Sequence, residues 1–104
     1  MDDKGQITRD GIRIYQDADF AGMRTAGASA ARILDEIAEH VFPGQTTGEL
    51  DRLIEAKVTE AGATSATIGY KGYEHASCIS INHVVCHGIP GDKKLKDGDI
   101  LNID

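Results

Sequence analysis

From Phe20 to Val41, the apolar and small positions Phe20, Met23, Gly27, Ala30, Leu34, Ile37 and Val41 recur at alternating spacings of three and four. That period draws one stripe along a helix, because residues three and four apart share a face. Asp17 is placed to cap the helix, and Phe42-Pro43-Gly44 to stop it. Gly27 and Ala30 keep the middle of the stripe thin enough for another backbone to approach. The pattern is heptad-like but too short for a coiled coil, so a helix packed on a sheet is the expectation. Thr46 followed by Glu49 is a capping box that opens a second helix. Leu50, Leu53, Ile54, Val58 and Ala61 form its buried face, and Gly62 ends it.

Further along, strand signals replace the helical period. Thr64 to Ile68 predicts a short strand, followed by a glycine-punctuated loop, Gly69-Tyr70-Lys71-Gly72-Tyr73. From Cys78 to Asn82 the alternation puts Ile79 and Ile81 on one face and Cys78, Ser80 and Asn82 on the other. Asn82-His83 is a turn candidate, with Val84 to Gly88 returning as the hairpin partner. Gly88-Ile89-Pro90-Gly91 breaks that strand, and a polar loop follows. Asp97-Gly98 turns the chain into a last strand, Ile100 to Asp104. Leu101 and Ile103 share one of its faces, while Ile100, Asn102 and Asp104 share the other. Met1 to Gln16 is a polar arm with a short strand or docking segment at Gly11 to Tyr15. These elements predict an α/β (α+β) chain, two amphipathic helices packed on an antiparallel or mixed sheet.

Composition narrows the function classes. The 104 residues suffice for one small domain, and 40% hydrophobic with 27% charged residues suits a soluble globular protein. Eleven basic against 17 acidic residues give a net charge of −6, which argues against a general nucleic-acid-binding surface. No apolar run approaches a membrane span, and the polar N-terminus lacks the apolar stretch of a signal peptide, so a soluble cytoplasmic protein is expected. Cys78 and Cys86 make no disulfide framework and no zinc pattern, and both are expected as free thiols. The chain stops at Asp104 inside an apolar strand pattern, which suggests a truncated domain.

Several residues invite chemistry. Asp104 ends a strand that reads as buried, where a carboxylate needs a donor or a metal; alternatively it simply faces water. Tyr70 and Tyr73 either present their rings to a pocket or cover a sheet edge. Cys86-His87 resembles a thiol–imidazole pair, but neighbours in a strand point to opposite faces, so Cys86 is expected as a small buried apolar residue. Cys78 opposite His87 across the hairpin stays open as a pairing. A lone His before a Gly-Ile-Pro turn is either an ordinary hydrogen-bonded residue or a group projecting into a cleft.

The segment "SCISINHVVCHGIP" followed by "LKDGDILNID" closely resembles the type I methionine aminopeptidases, and the resemblance runs along nearly the whole chain. It implies the pita-bread fold, with residues 1–104 as the N-terminal part of a single catalytic domain. It implies removal of the initiator methionine from nascent polypeptides, with a metal-activated water attacking the peptide bond. His87 takes the place of the histidine that contacts the substrate and stabilises the transition state. Tyr70, Tyr73 and Cys78 match the methionine pocket. Asp104 matches the first metal-binding Asp of a dinuclear site held by two Asp, one His and two Glu. Mn, Fe or Co are the expected ions, with Zn, Ni or Mg as alternatives. Thr67 departs from the Cys frequent in bacterial members, and His83 stands where many carry Glu. With one ligand of five, residues 1–104 alone are expected to be inactive. The expected partners are N-terminal methionyl peptides, with the ribosome as a further candidate and no nucleic-acid motif or membrane contact. The rival readings are a prolidase-like peptidase of the same fold and a non-catalytic binding module that kept the fold.

Overall fold

A computed structural model describes residues 6–104; the first five residues of the polar arm lie outside the described residues. The chain divides into two compact units, Met1–Ala31 and Arg32–Asp104. In the first, strands β1 (Gln6–Ile7) and β2 (Arg13–Ile14) pair antiparallel, with Gln6 opposite Ile14 and Ile7 opposite Arg13. The strand expected near Gly11 to Tyr15 is therefore present as β2.

Helix α1 spans Asp17–Ala38. Its start differs from the expected cap. The Gln16 N–H donates to Asp19 Oδ2 at 3.0 Å, while Asp17 is already in the first turn. Asp17 and Asp19 both suit the positive end of the helix dipole. The predicted stripe is buried only in part. Phe20, Met23 and Leu34 are exposed, a Cβ at Gly27 would meet nothing within 4 Å, and the buried pair is Ile33 and Ile37. A spacing of 3.6 residues lets either the third or the fourth neighbour align with Ile37, and here the fourth wins. The helix also ends four residues ahead of Phe42-Pro43-Gly44, at Ala38.

Helix α2 spans Thr47–Glu60 and begins as expected, with Thr46 Oγ1 accepting the Glu49 N–H at 3.1 Å. Its next free donors are also met: Thr47 N–H donates to the Lys93 carbonyl at 3.1 Å, and Gly48 N–H to the Gly91 carbonyl at 2.6 Å. The polar loop before Leu95 is thereby stitched onto the helix start, and Leu95 is buried. The helix closes with Gly62 at φ +74. Gly62 N–H donates to the Thr59 carbonyl and Ala63 N–H to the Val58 carbonyl, the double bond pattern of a Schellman end. Ala61, expected on the buried face, is exposed.

Strands β3 (Ile79–Ile81) and β4 (Leu101–Ile103) pair antiparallel, with Ile79 opposite Ile103 and Ile81 opposite Leu101. One apolar cluster joins Ile33 and Ile37 of α1, Leu50 and Ile54 of α2, Ile79 and Ile81 of β3, and Leu95. The α/β class, helices against an antiparallel sheet, is as expected. Three local expectations give way. Thr64 to Ile68 forms no strand: Ser65 and Thr67 hydroxyls bond each other at 2.9 Å, and Thr67 Oγ1–H donates to the His75 carbonyl at 2.7 Å. Such side-chain bonds compete with a ladder. Val84 to Gly88 runs back past β3 without forming a strand, because Asn82 and His87 sit at φ +53 and +55. Cys86 is exposed rather than buried, in a segment that bonds β3 at its two ends, through Val84 N–H to the Ile81 carbonyl and through Ile79 N–H to the Gly88 carbonyl.

Candidate functional site

Tyr70, Tyr73, Cys78 and His87 line one open recess of about 650 Å³, together with Thr67, Lys71 and Ile89. The aromatic side is built by the glycine-punctuated loop. Gly69 and Gly72 take φ +86 and +84, and Lys71 between them φ +50, so the chain folds into a single 3-10 turn over Tyr70–Gly72. Gly69 N–H donates to the Tyr73 carbonyl at 2.7 Å and closes the loop. Tyr70 stays largely exposed with Lys71 Nζ 5.5 Å from its ring centroid, while Tyr73 turns inward.

Tyr73 and Cys78 form the inner wall. The Tyr73 hydroxyl donates to the Ser77 carbonyl at 2.7 Å and accepts the Cys78 thiol at 3.6 Å. Burial first, and then the Cys78 bond, push the Tyr73 phenol well above its ordinary range, so it remains a neutral donor. Cys78 therefore pairs with Tyr73, and the pairing with His87 left open from the sequence is not the one seen.

His87 lines the same recess. The backbone of the next residue fixes it: the Gly88 carbonyl accepts the Ile79 N–H at 2.8 Å, and Gly88 N–H donates to Ser80 Oγ at 3.0 Å. A Cβ on Gly88 would collide with the Ile79 carbonyl oxygen and lie 2.9 Å from Ser80 Cα. Only glycine permits this approach, which places the exposed His87 at the rim.

Asp104 does not line the recess, but the ladder brings it alongside. Cys78 N–H donates to the Asp104 carbonyl at 2.8 Å and Asp104 N–H to the Cys78 carbonyl at 2.9 Å. The two residues are thus directly opposed across β3 and β4, and opposed residues project to the same face of a sheet. The strand is less buried than its apolar pattern suggested: Ile100 is 72% exposed, and Asp104 is exposed. Among the described residues, no three His, Cys, Asp or Glu side chains converge to hold a metal. Asp104 by itself therefore does not make a metal centre.

Residues 21–104 match the profile of metallopeptidase family M24. The chain belongs to that family. It is 52% identical over 93 residues to a methionine aminopeptidase of Rickettsia prowazekii, covering 89% of this chain and 36% of the relative. It is 55% identical over 95 residues to the methionine aminopeptidase of Escherichia coli strain K12, with the same coverage of 89% and 36%. The crystal structure of a methionine aminopeptidase from Rickettsia prowazekii superposes with a TM-score of 0.86 at 51% identity, covering 88% of this chain and 37% of that one. The chain thus spans little more than a third of the length of these relatives. The pita-bread methionine aminopeptidase fold expected from the Cys-His-Gly-Ile-Pro segment is the fold of its structural neighbours.

Asp51 was not visible as a site residue in the sequence. It lies inside α2, is 3% exposed, and accepts the Ser77 hydroxyl at 2.6 Å. A carboxylate inside an amphipathic helix reads as a solvated position, and only the fold reveals its partners. No described helix is long and apolar enough to cross a membrane.

Proposed function

We propose that the protein of which these residues form part removes the N-terminal methionine from new polypeptides by metal-dependent hydrolysis. The observation that carries this reading is the convergence of Tyr70, Tyr73, Cys78 and His87 on one recess. Ring faces and a thiol suit the flexible, polarisable thioether of methionine. We assign His87 to hydrogen-bond the peptide near the scissile bond, where a donor aimed at developing charge contributes most; its exposure at the recess supports this reading. The substrates are N-terminal methionyl peptides with a small second residue, the setting is the cytoplasm, and the ribosome is a candidate partner.

Family M24 peptidases are metallopeptidases, and the ions we assign are Mn, Fe or Co, with Zn, Ni or Mg as alternatives. A bound pair would supply a nucleophilic water at neutral pH. Within residues 1–104 only Asp104 is assigned to ligation; the second Asp, the His and the two Glu of the resemblance are assigned to no residue here, and no three His, Cys, Asp or Glu side chains converge among the described residues.

The test is methionine release from a Met-Ala peptide by the full-length protein with Mn, Co or Fe added. Metal-dependent turnover is expected, lost together with bound metal in Asp104→Ala. Residues 1–104 alone should release none. A metal-loaded, folded full-length protein without turnover would overturn the reading.

A further inference from the structure

A continuous set of contacts runs from the recess wall to a single carboxylate behind it. Asp51 Oδ1 accepts the Ser77 hydroxyl at 2.6 Å, and Oδ2 lies 3.3 Å from His75 Nδ1 and 3.4 Å from the Ala76 amide nitrogen. Ser77, only 2% exposed, offers its carbonyl to the Tyr73 hydroxyl at 2.7 Å, and the Tyr73 oxygen accepts the Cys78 thiol. A second route runs through His75, whose ring meets the Tyr73 ring edge-on at 5.5 Å between centroids and 71° between planes. Both routes start on α2 and end on the same phenol.

Asp51 does not line the recess. A carboxylate buried this deeply is costly unless donors surround it, and apolar packing would fill the position at lower cost. What the carboxylate adds is direction. It is the one group on α2 that binds three successive residues, His75, Ala76 and Ser77, of the segment linking Tyr73 to Cys78.

We propose that Asp51 is a positioning residue, which through Ser77 and His75 holds Tyr73 and Cys78 in the arrangement that accepts an unbranched thioether side chain. The substrate consequence rests on the methionyl reading above; the positioning itself does not. A side chain held by the recess is held in ground and transition states alike, so loosening the wall raises KM and leaves kcat nearly unchanged. Losing the Ser77 and His75 contacts together should raise KM for a methionyl peptide by about 10-fold, the equivalent of one or two hydrogen bonds.

The experiment compares Asp51→Ala, Asp51→Asn and Ser77→Ala in the full-length protein carrying Cys86→Ser, which removes the exposed second thiol. Two quantities are read in variants that retain native circular dichroism: KM and kcat for Met-Ala, and the rate at which iodoacetamide alkylates Cys78. The expected result is faster Cys78 alkylation in Asp51→Ala and Ser77→Ala, with KM raised and kcat within about 3-fold. Asp51→Asn keeps an acceptor for Ser77 and should recover most of both. If Asp51→Ala does not fold, Ser77→Ala carries the test. Unchanged Cys78 alkylation in folded Ser77→Ala overturns the positioning, as does a fall in kcat at constant KM. Failure of the unsubstituted protein to cleave methionyl peptides would instead refute the methionyl reading, while the alkylation rates would still decide the positioning.

Discussion

Gly88→Ala isolates the contact that carries His87 to the recess. The added methyl points into the Ile79 carbonyl group, 2.8 Å from its carbon and 2.9 Å from Ser80 Cα. Both neighbours are backbone in a buried strand, so neither can swing aside as a side chain would. Overpacking of this kind costs about 1–3 kcal/mol. Relief requires the segment to lift, which weakens the two bonds of Gly88 to Ile79 and Ser80 (2.8 and 3.0 Å), each contributing about 1 kcal/mol. The total is a loss of about 3 kcal/mol, a large share of an ordinary domain's stability. Gly91→Ala is the matched control, because a Cβ there meets nothing within 4 Å. It should stay within about 0.5 kcal/mol of the unsubstituted protein or gain slightly from a stiffer unfolded chain. The assay is urea denaturation of the full-length protein at equal slopes. A second consequence is kinetic: folded Gly88→Ala should lose about 100-fold in turnover, because a shift of about 1 Å at His87 spoils its orientation. If Gly88→Ala were as stable as Gly91→Ala, the account of how His87 is placed would be wrong.

His87→Ala should lower kcat by about 100-fold or more while bound metal, measured by elemental analysis, stays unchanged; loss of metal would move His87 into ligation. Tyr73 adds an alkaline limit to stability. Its folded-state pKa is raised by burial, so its contribution is complete below the ordinary phenol value of about 10 and declines as pH rises from there toward the folded value. Denaturation midpoints measured on either side of pH 10 should therefore fall at the alkaline end, and Tyr73→Phe should flatten part of that fall. An equally steep fall in Tyr73→Phe would remove Tyr73 as the cause.

What could be read before the fold was known is what depends on local chemistry. The Thr46–Glu49 cap, the Gly62 end, the Asp97-Gly98 turn and the faces of β3 and β4 all follow from residues within a few positions of one another. The recess residues came from the order of a motif, and they do converge. What could not be read depends on distant partners. Ile33 rather than Leu34 is buried, because the choice between neighbours three and four apart is made by the cluster around Leu50 and Ile54. Thr64 to Ile68 has strand-forming residues, but its hydroxyls find the His75 and Ala76 carbonyls first. Cys86 looks like a core residue, yet the positive φ at His87 turns its segment away from β3. Asp51 has no local signal at all, since its meaning lies in Ser77, 26 positions away.

Register links the two halves of the candidate site. Ile79 opposite Ile103 and Ile81 opposite Leu101 put the apolar side chains of both strands on the core face. A slip of one residue would turn the Asp104 side chain to the face opposite Cys78, because side chains alternate along a strand. Side-chain pairs on three residues alone would hold this register weakly, and a clamp reinforces it where the strands leave the core. Asn82 donates through Nδ2 to Asp99 Oδ1 at 2.9 Å, accepts the Ile100 N–H on Oδ1 at 3.0 Å, and donates its own N–H to the Ile100 carbonyl at 2.8 Å. Asp99 in turn accepts the Lys96 N–H at 2.8 Å. The Asn82 bond, and then the Lys96 bond, hold the Asp99 carboxyl below its ordinary range, so the clamp keeps its charge-assisted form further into acid than a free Asp would. The turn residues Lys96 to Asp99 thus fix which residue of β4 faces Cys78 at the far end of the ladder. On the proposed reading, a loop remote from the recess sets the alignment of the thioether pocket with the carboxylate assigned to the metal.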